Sequence, residues 1–132
     1  MSANAVILDT NVFVAAGFNR QSASACIVVE IRSGRLRMIW NEQTRLETQY
    51  ILNKIPPLSW SNVADCFREE DRHHGETALA PFNHIPDPDD RKFAALASAA
   101  GVVLLTNDHH LLSGRDEAEM EILTPREYSQ RL

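Results

Sequence analysis

Two short apolar runs that each stop abruptly on an acid and its polar neighbours constrain this chain more than any other feature. Ala5-Val6-Ile7-Leu8 breaks at Asp9-Thr10-Asn11, and Val102-Val103-Leu104-Leu105 breaks at Thr106-Asn107-Asp108. A strand that is apolar at every position is buried on both faces, which is how strands of a helix-covered parallel sheet read. Such sheets collect their ligands outside the carboxyl ends of the strands. If the two runs are neighbours, Asp9 and Asp108 project from one edge of the sheet. Taken singly, an Asp after a strand serves equally well as a turn residue or a helix cap.

The remaining segments fit the same class. Ser22 to Ser33 is a helix-length window stopped by Gly34, and Leu36 to Trp40 reads as a strand. In Glu42 to Ile55, Thr48, Ile51, Leu52 and Ile55 fall at i, i+3, i+4 and i+7, a helical stripe ended by Pro56-Pro57. Ser59 to His74 is expected to form a further helix. Ala78 to His84 is expected as a short strand confined to an edge or bulge by Pro81. Asp87 can cap a helix with Pro88 in its first turn and Phe93, Leu96, Ala97 and Ala100 as its apolar face, ended by Gly101. Glu121 to Leu123 reads as a last strand, and Thr124-Pro125-Arg126-Glu127 as a capping box opening a terminal helix. Helices alternating with apolar strands predict an α/β fold with a mostly parallel sheet covered on both faces.

The length of 132 residues suits a single domain spanning 1–132, with 44% apolar and 23% charged residues, near the globular average. No apolar run reaches the roughly 18 residues that cross a bilayer, and no signal-peptide pattern opens the chain, so no membrane partner and a cytoplasmic location are expected. Cys26 and Cys66 form no C-x-x-C pair and are expected as reduced thiols packed like small hydrophobes. A net charge of −5, from 13 basic against 18 acidic side chains, argues against a protein that grips nucleic acid by a general positive field.

The acids therefore carry the question. Glu47 stands four residues before Ile51 on the line of the buried stripe, an unusual place for a carboxylate, where it would otherwise lie at the rim beside Arg45 or Lys54. Asp87, Asp89 and Asp90 crowd the start of the Phe93 helix, which ordinary helix-dipole complementarity or a capping box also explains. Four carboxylates meeting in one cleft would repel each other unless a cation neutralised them. Hard oxygen ligands without Cys or His select Mg²⁺ or Mn²⁺. The chemistry this supports is phosphodiester hydrolysis, in which a metal polarises phosphorus, activates water and stabilises the leaving oxygen.

These motifs in this order resemble the PIN-domain nucleases: Ile7-Leu8-Asp9-Thr10-Asn11-Val12, then Asn41-Glu42 with Glu47, then Asp87-Pro88-Asp89-Asp90-Arg91-Lys92-Phe93-Ala94-Ala95-Leu96-Ala97, then Leu105-Thr106-Asn107-Asp108. The resemblance implies a three-layer α/β/α fold with strand order 3-2-1-4-5. It implies Asp9, Glu47, Asp90 and Asp108 as the catalytic and metal-holding quartet around Mg²⁺ or Mn²⁺, supported by Asn11 and Thr106. Asp90 is taken from its acidic trio because its spacing to Phe93, Gly101 and Asp108 matches the family's helix, with Asp87 and Asp89 as outer acids. Small stand-alone chains of this kind resemble the ribonuclease toxins of VapC-type toxin-antitoxin pairs, which implies an RNA substrate, a small antitoxin protein as partner and a homodimer. The middle, Pro56 to Ile85, matches no motif.

Arg91 and Lys92 are candidate contacts to RNA phosphates, which position a strand without reading it, and His109 is a third. His73-His74 and His109-His110 lack the spacing of a zinc site, since adjacent helical residues point about 100° apart. Trp40 and Trp60 read as core or dimer surface. A non-catalytic module of the same fold, holding RNA or protein without metal, is the competing expectation. A phospho-acceptor receiver domain is disfavoured because Asn41, not Asp, follows the Leu36 strand and no Lys follows Lys92.

Overall fold

The computed structural model describes residues 4–132. Four strands form the sheet: β1 (Asn4–Leu8), β2 (Leu36–Met38), β3 (Val103–Leu105) and β4 (Ile122–Leu123), in the order β2-β1-β3-β4, all parallel. Val6 pairs with both Met38 and Val103, and Leu8 with Leu105, so the strands that end at Asp9 and at Thr106 stop in register, side by side. The two apolar runs are therefore neighbours, as their burial requires.

Strand side chains alternate between faces, and each face has its own core. Val6, Leu8, Val103 and Leu105 face α1 (Thr10–Phe18), α2 (Ala23–Ser33), α3 (Glu42–Asn53) and α6 (Pro125–Ser129), packing with Phe13, Ile27, Ile31 and Leu52. Ile7 and Leu104 face the opposite way, onto α4 (Pro88–Ala100) and α5 (His109–Ser113), among Phe93, Leu96, Ala97 and Leu111. This is the expected three-layer α/β/α arrangement.

The helix boundaries obey their local chemistry. Ser22 caps α2 by accepting from the Ala25 N–H, and Gly34 ends it at φ +84, a left-handed conformation that costs glycine little. Asn41 and Thr44 form a capping box that fixes the start of α3. Asp87 caps α4 through the Asp89 N–H, and Thr124 with Glu127 forms the expected capping box of α6.

Three expectations are corrected. The strand expected at Ala78 to His84 is absent; Ala80–Phe82 is a 3₁₀ turn, Pro81 having no N–H to give a ladder. The order 3-2-1-4-5 thus loses its third strand, and the other four keep their places. Outside β2, among the described residues, stands a single parallel bridge from Trp40 to Arg72. Nor is Ser59 to His74 one helix. It is three 3₁₀ turns, Trp60–Asn62, Ala64–Cys66 and Glu69–Asp71, because its polar groups are committed to distant partners. Arg68 donates to the carbonyls of Ile31 and Arg32, Trp40 Nε1 donates to the Arg68 carbonyl, and Asp71 pairs with Arg37. Phe67 meanwhile inserts among Phe13, Trp40 and Trp60. Lastly, Cys66 is buried, its thiol pushed up to about 11 by loss of solvent, but Cys26 lies on the exposed side of α2; both are free thiols. No single helix among the described residues is long and apolar enough to cross a membrane.

Candidate active site

At the carboxyl edge of the sheet, β1 and β3 deliver their acids onto one hydroxyl. Thr106 Oγ1, fully buried, donates to Asp9 Oδ2 at 2.9 Å and accepts the Asp108 N–H at 2.9 Å. Asn11 Nδ2 donates to the same Asp9 oxygen at 3.1 Å, while Asn11 Oδ1 accepts the Asn107 N–H at 2.9 Å. Thr106 and Asn11 thus orient the first acid and fix the loop that carries the last. Asn107 extends the brace to Ser24 Oγ on α2, at 3.2 Å.

Asp90 enters from α4, on the first turn of the helix. Asp9, Asp90 and Asp108 each offer a carboxylate oxygen, and these oxygens lie within 4.8 Å of one another. Asp9 is 3% exposed and Asp90 8%, so both carboxyls sit largely out of water. Burial pushes the Asp9 pKa up to about 6, against the pull of Thr106 and Asn11. Asp90 is driven well above the carboxylate range by burial first, then by Asp108 and Asp9 beside it, while Asp108 is held below its usual value, chiefly by hydrogen bonding to Asp90. Two adjacent carboxyls sharing one proton behave this way. Asp90 Oδ2 is buried with no hydrogen-bond partner.

These features suit a small hard cation. Around Mg²⁺, ligand oxygens stand at about 2.1 Å, hence about 4 Å apart across the ion, and three carboxylates at the observed spacing close onto it with small side-chain shifts. An orphaned buried carboxyl oxygen is the kind of atom such an ion satisfies.

Glu47 is not one of the three. It stands on α3, and its Oε2 accepts from Lys92 Nζ at 3.3 Å, a pairing that neither Arg45 nor Lys54 makes. Arg45 pairs with Glu42 instead. Lys92, on α4, also approaches Asp89 at 4.0 Å. Arg91 is turned back into its own loop, donating to the carbonyls of Ile85 at 3.0 Å and Asn83 at 3.2 Å. His109 is exposed in the first turn of α5, where Asp108 caps the helix by accepting the His110 N–H.

Sequence reasoning passed over two supports. The hydroxyls of Thr10 and Thr48 meet at 3.0 Å in a buried contact, tying α1 to α3 beside Asp9 and Glu47. Thr48 lies on the apolar stripe of its helix, and that was the available signal. Ser24, the far anchor of Asn107, carries no local signal at all.

A family model for the PIN domain matches residues 5–110, a span holding every acid just described. The chain belongs to the PIN-domain family. The crystal structure of PAE2754 from Pyrobaculum aerophilum shares the fold, with a TM-score of 0.51 over 98% of this PIN domain and 97% of that chain, at 15% identity. No curated protein matches. Membership gives this PIN domain a nuclease-type fold, and its acidic cluster is compatible with a divalent metal.

Proposed function

We propose that this PIN domain is a metal-dependent endoribonuclease, hydrolysing RNA phosphodiester bonds with Mg²⁺ or Mn²⁺, and that it serves as the toxin of a VapC-type toxin-antitoxin pair. The observation that carries the nuclease reading is the convergence of Asp9, Asp90 and Asp108 within 4.8 Å, two of them buried and one with an orphaned oxygen. Nothing in stability alone rewards such a cluster, since buried like charges raise the free energy of the folded chain.

In this reading the three aspartates hold the ion, directly or through water. When bound, it neutralises their charge, polarises the phosphoryl group and lowers the pKa of water. Thr106 and Asn11 keep the Asp9 carboxylate aimed at the centre. Glu47, one helix away, orients the attacking water and receives its proton as the new P–O bond forms and the ester P–O bond breaks. RNA binds through the metal centre, since a chain of net charge −5 has no general field to hold a polyanion. The partner expectations follow from the toxin role: a small antitoxin protein, a homodimer and a cytoplasmic site of action.

The test is cleavage of a defined RNA panel by purified protein with Mn²⁺, with EDTA, and by Asp9→Asn. Metal-dependent cleavage lost in Asp9→Asn is expected. A folded protein that binds RNA equally with and without metal, and cuts none, would instead be a non-catalytic module.

A further inference from the structure

The fourth acid of the site already has a cation. Lys92 Nζ lies 3.3 Å from Glu47 Oε2 and 4.0 Å from Asp89 Oδ1, and the side chains of Lys92 and Glu47 are only 24% and 14% exposed, so the pair is screened less than a surface ion pair. Both partners are anchored. Lys92 follows Asp90 by two residues on the same helix, and Glu47 precedes Thr48, whose hydroxyl is bonded to Thr10. The pair therefore bridges the helix that carries an acid of the cluster and the one beside it.

Two-ion phosphodiesterase centres hold their metals about 4 Å apart, the second seated on additional carboxylates beside the first set. Asp87 beside Asp90 is engaged in capping α4, which leaves Glu47, linked to the Asp9 end of β1 through the Thr48–Thr10 contact, as the acid for that seat, and its oxygen already accepts from an ammonium. A divalent ion approaching Glu47 would have to displace Lys92 or share the oxygen with a like charge at contact distance.

We propose that Lys92 is a built-in counter-cation that takes the place of a second metal ion, so the centre binds one divalent ion and keeps Glu47 as a water-orienting group. Lys92 is then a positioning residue, engaged inside the site and not free to contact an RNA phosphate. The inference rests on the metal-dependent reading above.

Mn²⁺ binding to the purified full chain, followed at neutral pH by the electron paramagnetic resonance of free Mn²⁺ and by calorimetry, reads the number of ions without reference to activity. One ion per chain is expected, two in Lys92→Met, one again in Lys92→Arg, and one in the double variant Lys92→Met with Glu47→Gln. Two ions in the unmodified protein overturn the proposal even if Lys92→Met fails to fold, and so does a single ion in folded Lys92→Met. No ion in the unmodified protein overturns the metal-dependent reading and this inference with it, an outcome distinct from the other two.

Discussion

At the level of single residues, the site trades stability for a place to hold a cation, and the trade is measurable. Asp90 places an unpartnered carboxyl oxygen among two other acids. Asp90→Asn holds this position neutral without the cost of protonating a buried carboxyl on folding, and supplies amide donors, so it is expected to stabilise the metal-free protein by about 1 to 2 kcal/mol while abolishing the rise in Tm that Mn²⁺ produces. Thermal melts in EDTA and in Mn²⁺ check both halves, and an Asp90→Asn protein still stabilised by Mn²⁺ would remove Asp90 from the centre. Thr106→Val does the opposite. It leaves the Asp9 carboxylate and the Asp108 N–H without the hydroxyl they share, at a cost of about 1 to 3 kcal/mol in urea unfolding and about 10- to 100-fold in Mn²⁺ affinity. Asp9, Asp108 and Thr106 were legible from sequence because the strand ends place them without help from distant residues. Choosing Asp90 over Asp87 and Asp89 was not a matter of residue chemistry. All three suit a helix start; Asp87 takes the cap and Asp90 is the one buried.

At the level of elements, α4 and α3 act as brackets for the acids, and their anchoring sets how well the acids are held. Phe93, one turn beyond Asp90 and 2% exposed, pins α4 to the sheet beside Leu96 and Leu104. Phe93→Ala is expected to cost about 3 to 5 kcal/mol by denaturant titration, with a matching loss of metal affinity as the helix start loosens. Asn41→Ala breaks the capping box of α3 and should cost about 1 kcal/mol. If its metal stoichiometry is unchanged, the register of Glu47 survives fraying of the first turn. Helices with a one-sided apolar stripe were recognisable in the sequence, as α2, α3 and α4 are. Helix α1 was not, because Thr10–Phe18 is apolar nearly all round and follows a strand with no break in hydrophobicity beyond Asp9, Thr10 and Asn11. The 3₁₀ turns from Trp60 to Asp71 misled the pattern for the converse reason: their spacing mimics a helix while their hydrogen bonds go elsewhere.

At the level of the whole molecule, the clustered acids link stability to pH and to metal. Asp9 has its pKa raised in the folded state, so folding takes up protons as pH rises through the unfolded value, and the stability this gives is lost as pH climbs toward and past about 6. A rise of about 2 pKa units corresponds to about 3 kcal/mol, and Asp90, raised further, extends the loss to higher pH. The metal-free protein should melt at a lower temperature at pH 8 than at pH 5, and Mn²⁺ should raise the Tm more at pH 8, where the carboxylates release fewer protons to bind it. A metal-free Tm that increases over that range would contradict the burial assigned to Asp9 and Asp90. By the same electrostatics, RNA affinity measured by fluorescence anisotropy is expected to fall at least tenfold in EDTA, since net charge is −5. What the sequence alone determined is whatever depends on neighbours along the chain: apolar strands ending in acids, capped helices, their order, and hence the α/β class and the edge where the acids gather. Tertiary structure alone decided that Arg91 is spent on its own loop, that no strand forms at Ala78 to His84, and that Glu47 meets Lys92 across two helices. Each of these depends on contacts between residues far apart in the chain, and no local periodicity or spacing encodes which distant group will be there to accept the bond.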